Sequence, residues 1–168
     1  MRENEVNYSL TAKIFHWGFV LLFVYGIFKA VDDISQLEDD AFLRFEVFFA
    51  LGFLFFLILR FFYMKKTQTT SLPGETSKWQ KIAAKTVHLA MYGTLGLIAV
   101  TGLIVGLLFK LGFEKGFLVE LVISLHEFGI PVMYWLISIH VIAAIYHRLL
   151  RDGVWSSMVP FWKESDKI

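Results

Sequence analysis

Four long apolar runs constrain this chain more than anything else in it. They lie near Lys13 to Ala30, Phe42 to Met64, Thr86 to Phe109 and His126 to Leu150. Each is long enough to cross about 30 Å of hydrocarbon, which takes roughly 20 residues of helix. Short connections between four such helices imply an all-α membrane protein, a four-transmembrane-helix antiparallel bundle forming one domain over residues 1–168. A water-soluble alternative would have to hide more apolar side chain than one core of this size holds, because 57% of the residues are hydrophobic and 18 are Phe. The first run is not a secretory signal: its flank MRENEV mixes acids with one Arg, and no small-residue cleavage site follows.

Basic residues near the ends of spans are retained in the cytoplasm, so their distribution sets the orientation. Twelve of the 16 Lys and Arg fall on one side, namely Arg2, Lys13, Arg60, Lys65, Lys66, Lys78, Lys81, Lys85, Arg148, Arg151, Lys163 and Lys167. Lys29, Arg44, Lys110 and Lys115 fall on the other. Both termini and the polar connector TQTTSLPGETSKWQK are therefore expected in the cytoplasm. The first external loop is acidic, with Asp32, Asp33, Glu38, Asp39 and Asp40, and Gly112 to Leu125 reads as an external loop with a short interfacial helix. Trp17, Trp79 and Trp155 suit the headgroup zone. A net charge of +1 provides no field to attract nucleic acid.

The chain has no Cys, which excludes disulfides, iron–sulfur clusters and thiolate metal sites. Any redox centre must rest on His16, His88, His126, His140 and His147. Ligating side chains inside a span are costly and mark functional sites. His126 and His140 are 14 residues apart, which on a helix is close to four full turns and about 21 Å of rise, so they share a face at a separation suited to two stacked porphyrins. His147 stays on that face. No H-x-x-x-H pair exists to build a non-haem site on one helix. His16 on helix one lies near the cytoplasmic end, with Gly18 and Gly26 offering room for a backbone or a flat macrocycle. His88 lies at the same depth on helix three, one turn before Tyr92. Taken singly, His88 reads equally well as an interhelical hydrogen-bonding group, His147 as a solvated interfacial residue and His126 as a headgroup-level residue. Together they point to a bis-His haem.

The segments KIFHWGFVLLF, LILRFFY, WQKIAAKTVHLAMYGTLGLIAVTGLIVG and LHEFGIPVMYWLISIHVIAAIYHRLLRDGVWSSMVP cover nearly the whole chain. In them the chain resembles the bacterial cytochrome b561 family, itself similar to the cytochrome b subunits of membrane hydrogenases and formate dehydrogenases. The resemblance implies a multi-pass protein of the bacterial inner (cytoplasmic) membrane with two b-type haems. It also implies electron exchange with a membrane quinol (ubiquinone or menaquinone) and, in one type, superoxide oxidation at the outer face. By position, His16 and His140 would hold the iron of the cytoplasmic-side haem b. His126 and a His near the start of helix two would hold the outer one. His88 and His147, with Tyr92, fall where a quinone pocket is expected.

Helix two departs from that pattern. It has no His, and the position 14 residues before Arg60 is Glu46. A carboxylate is a poor substitute for imidazole in a low-spin electron-transfer haem. Phe42, Phe49 and Phe53 share the face of Glu46 and would either pack on a porphyrin or fill its space. The outer haem is expected to be missing or unusually ligated. Arg60, Arg148 and Arg151 lie at the depth where haem propionates emerge and serve either as their partners or as positive-inside anchors. Three functions stay open: a quinol oxidoreductase exchanging electrons with superoxide or oxygen at the outer face, a haem-bearing anchor subunit passing electrons between quinone and a docked redox partner, and a haem-free scaffold. Membrane lipid surrounds each of them, and a homodimer is compatible with all.

Overall fold

In the computed structural model of the chain, residues 8–29, 31, 33–67, 72–74 and 76–164 are described. Arg2 and Lys167 of the sidedness count, Asp32 of the acidic loop, Ala30 at the end of the first run and residues 68–71 and 75 of the connector lie outside them. Four long helices form: α1 (Leu10–Phe28), α2 (Asp40–Thr67), α3 (Lys78–Lys110) and α4 (Phe117–Leu150), followed by a short α5 (Val154–Met158). All four long helices are apolar and long enough to span a bilayer. No strand occurs among the described residues.

Local hydrogen bonding fixes the starts. Ser9 opens α1, its hydroxyl accepting from the Ala12 N–H at 3.1 Å. The acidic loop is built of caps. Asp33 accepts from the Ser35 hydroxyl and N–H at the head of a 3₁₀ turn, Ile34–Glu38. Asp39 accepts from the Phe42 and Ala41 N–H groups at the head of α2, and these bonds hold its carboxyl below the usual carboxylate range. A reciprocal Ser77–Gln80 capping box starts α3 eight residues before the expected Thr86, because the turns WQKIAAK are helical although too polar to belong to the apolar run.

The expected loop over Gly112 to Leu125 is corrected. Only the turn up to Gly116, which adopts φ +115°, is non-helical, and Phe117 to Leu125 is continuous with the last span. That stretch carries a single acid, Glu120, and no breaker, so nothing interrupts the helix before Pro131, which α4 accommodates internally. At 33 and 34 residues, α3 and α4 are each about 50 Å long and overshoot the hydrocarbon.

Successive helices run antiparallel, and three pairs of contacts set the register. Ser9 meets Tyr63 (3.0 Å) at one end of the α1/α2 pair, and Gly26 faces Phe49 at the other. Arg60 meets Tyr92 and Val47 meets Gly106 along α2/α3. His88 meets His140 and Gly102 meets His126 along α3/α4. The proximal end is thus where α1 and α3 begin and α2 and α4 finish. The α3/α4 seam is the tightest, and no comparably close backbone packing joins α1 to α4 among the described residues. Glycines permit the closest approaches, since a Cβ on Gly106 would lie 2.6 Å from Val47 Cγ2 and one on Gly129 2.7 Å from Ile98 Cγ1. Gly18 and Gly26 do give room, but aromatic rings of α2 take it, Phe56 at 3.8 Å and Phe49 at 3.1 Å from the Cβ positions. The interior holds two apolar clusters. One gathers Phe19, Phe53, Leu57, Leu95, Ala99 and Met133, and the distal one Leu37, Leu43, Val105 and Val122. Large apolar side chains such as Leu21, Phe48, Phe55 and Trp135 face outward, as lipid requires.

Candidate functional site

Four helices each deliver a polar side chain to one place in the proximal half. The His16 ring on α1 lies 6.3 Å from the His140 ring on α4, and the His88 ring on α3 stands edge-on to His140 at 5.0 Å. Arg60 reaches across from α2. Its Nη1 donates to Tyr92 Oη (2.9 Å) and its Nη2 to His16 Nδ1 (3.0 Å), and its Cζ lies 5.3 Å and 5.7 Å from the ring centres of Tyr92 and Phe19. Tyr92 sits one turn beyond His88, so both belong to one face of α3.

These partners decide where the protons sit. Guanidinium only donates, so His16 Nδ1 accepts and its imidazole proton is on Nε2. A carbonyl only accepts, so His88 Nδ1 donates to Ala84 O (2.7 Å) and leaves Nε2 with a bare lone pair. Arg60 Nε is buried with no hydrogen-bond partner, and no carboxylate of the described residues pairs with this guanidinium. A buried cation without an anion is strongly unfavourable, so a guanidinium with no acid among the described residues is suited to an acidic group brought by a ligand.

The donor set at this end fits a haem. Two imidazoles bound to opposite sides of one iron have ring centres about 6 Å apart, taking about 2 Å for a metal–imidazole bond. Among the described residues no group of three His, Asp or Glu is placed to hold a metal ion, so this pair would suit a metal that brings its other ligands with it. His16 and His140 would hold the haem, His16 through Nε2 with its proton on Nδ1, and Arg60 would then be free to pair with a propionate.

The remaining expected site residues lie elsewhere. His147, about 10 Å further along α4, does not join His88 and Tyr92. Its Nδ1 bonds Asp152 Oδ2 at 2.6 Å, and Asp152 Oδ1 in turn accepts from the Val154 N–H at the head of α5. Arg148 lies over Trp162, 3.8 Å from its ring centre, with Trp155 at 5.7 Å, and Arg151 is an exposed residue in the left-handed turn that ends α4. Of the three arginines only Arg60 stands against the histidines. Trp17 and Trp155, expected as headgroup anchors, also fasten the C-terminal segment by donating to Met158 O and Trp162 O.

His126 is distal and packs into α3. Its Nδ1 is 3.1 Å from Thr101 Oγ1, whose own proton goes to Leu97 O at 2.7 Å, so the imidazole donates and the hydroxyl accepts. Glu46 leaves Oε1 buried without a partner and makes no hydrogen bond or ion pair with His126. Asp152 and Thr101 escaped the sequence reading. Asp152 stands in the quoted RDGV motif, whereas Thr101 carries no signal apart from facing His126 across a helix seam.

A family model described as prokaryotic cytochrome b561 matches residues 7–161. No curated protein and no solved structure matches the chain.

Proposed function

The chain belongs to the prokaryotic cytochrome b561 family, and from that premise we propose that this membrane b-type haem protein exchanges electrons with a quinol at the proximal end of its bundle. The carrying observation is the convergence of His16, Arg60, His88, Tyr92 and His140 from four helices. His16 and His140 would hold the haem, which supplies a one-electron donor and acceptor. Arg60 would receive a propionate on its unpartnered edge.

The surrounding residues favour a quinol as reductant. An apolar crevice of about 200 Å³ between α2 and α3, lined by Leu57, Phe61 and Gly96 among others, opens on the lipid side and has Tyr92 in its wall. An isoprenoid tail suits such a lining, and the Tyr92 hydroxyl offers the headgroup a hydrogen bond. A quinol gives up two protons with its two electrons, and of the two expected imidazoles only His88 stands one turn from Tyr92, His147 lying about 10 Å further along α4 than His140. His88 and His147 each have Nδ1 committed, to Ala84 O and to Asp152, which leaves Nε2 as the acceptor on both. On the positive-inside rule this end faces the cytoplasm of a bacterial inner membrane.

Visible spectra of the purified chain and its variants test the assignment. His16→Ala and His140→Ala are each expected to abolish the low-spin b-type band. His88→Ala and His147→Ala should keep it and slow its reduction by a quinol. An intact low-spin band in either of the first two variants refutes the ligand pair.

A further inference from the structure

We propose that this chain carries a single haem, at the proximal end, and that its distal end is a structural core with no second redox centre. The proposal rests on the haem assignment above and concerns residues on the opposite side of the bundle.

The space at the distal end is occupied. Leu37 from the 3₁₀ turn, Leu43 from α2, Val105 from α3 and Val122 from α4 meet there, all less than a tenth exposed. A macrocycle held between α2 and α4 would have to occupy the same volume. The helices cannot readily part to admit it, because α2 and α3 touch through Val47 and Gly106 and α3 and α4 through Ile98 and Gly129. Phe49 and Phe53 join the α1/α2 interface. Phe49 lies against Gly26 and within ring-contact distance of Phe45, Tyr25 and Phe53, and Phe53 packs on Phe19 at 4.9 Å. Phe49 and Phe53 are thereby engaged at the α1/α2 interface.

The ligands are also missing. α2 contains no imidazole. Its Glu46, at the position where the resemblance places one, offers a carboxylate, a poor substitute for imidazole in a low-spin haem, and leaves Oε1 buried without a partner. His126 is engaged with α3, since its Nδ1–H donates to Thr101 and its Cε1 sits 3.3 Å from where a Gly102 Cβ would be. It pins α4 to α3, as polar side chains do between membrane helices. The proximal half offers the contrast, with paired imidazoles, an anion-seeking guanidinium and no close α1/α4 backbone packing.

A single haem changes what the molecule can do. Without a second centre about 20 Å further along α4, no chain of haems crosses the membrane. Electrons leave from the end at which they enter, so the quinol and the other redox partner are served from one face.

Haem counting decides the matter on the purified full chain, by pyridine haemochrome against amino-acid analysis, with electron paramagnetic resonance of the oxidised form. The expected result is one haem per chain and one low-spin signal, both unchanged in His126→Gln, which keeps a hydrogen bond to Thr101, and in Glu46→Gln. Two haems per chain, or the loss of one of two low-spin signals in His126→Gln, overturns the proposal and leaves the proximal assignment standing. A chain that takes up no haem overturns both.

Discussion

A guanidinium held by an imidazole and a phenol is the most consequential single residue arrangement in this protein. Arg60 is held by His16 and Tyr92 yet keeps Nε unpartnered, and no acid among the described residues neutralises it. Reduction adds an electron, so a nearby positive charge favours the reduced form and its removal lowers the midpoint potential. A unit charge about 8 Å from a redox centre at an effective dielectric near 20 is worth about 2 kcal/mol, on the order of 80 mV for a one-electron couple. Arg60→Gln is therefore expected to lower the potential by tens of millivolts in a spectroelectrochemical titration and to loosen haem retention. Asp152 acts one step removed, through His147. Asp152→Asn should leave the haem band intact and slow quinol reduction by about 10²-fold, the scale of a mispositioned general base, while Asp152→Glu recovers part of the rate. An unchanged rate in Asp152→Asn would make the 2.6 Å pair purely structural. The histidines that form this site were visible in the sequence because an imidazole in an apolar run stands out by cost alone. Asp152 was not, since one acid near a helix end is ordinary and only the fold turns it onto His147.

Element boundaries were less legible than element existence. All four spans were evident from apolar length, yet α3 and α4 each begin eight or nine residues before their apolar runs. Hydrocarbon thickness sets the apolar run, whereas a helix ends where its caps are, at Ser77 for α3 and at Gly116 for α4. The seams between helices were illegible for a different reason: which glycines sit at contacts depends on rotation and register. Three of them supply a comparison. Adding a Cβ at Gly106 or Gly129 presses on a β-branched neighbour, Val47 or Ile98, that has little rotamer freedom. Overpacking of this kind costs about 1–3 kcal/mol, against a helix gain of about 0.5–1 kcal/mol for replacing Gly. Gly106→Ala and Gly129→Ala should thus lower the thermal midpoint in detergent, followed by circular dichroism. Gly52→Ala, with nothing within 4 Å of its Cβ, should leave the midpoint unchanged or raise it. Equal behaviour of all three would mean that the seams are looser than these contacts.

At the scale of the whole molecule, three of the five histidines, Arg60 and the His147–Asp152 pair are gathered at one end, and many of the basic residues share that end. His16, His88, His140, Arg60 and the His147–Asp152 pair lie where α1 and α3 start, as do Lys65, Lys66, Lys78, Lys81 and Lys85. If basic flanks are held in the cytoplasm, the quinol oxidation proposed for this chain would release its protons on the cytoplasmic side and require its electron partner there too. An acceptor confined to the outer face would then be out of reach of the haem. The orientation can be measured cleanly because the chain has no Cys, so a single introduced thiol reports without background. Thr76→Cys lies in the α2/α3 connector and Glu114→Cys in the α3/α4 turn, at opposite ends of the bundle. With a membrane-impermeant maleimide on intact spheroplasts, Glu114→Cys is expected to react and Thr76→Cys to react only after lysis. The reverse pattern would put the histidine cluster on the outer side, where the same one-ended geometry would make an external acceptor the natural partner and a cytoplasmic one inaccessible.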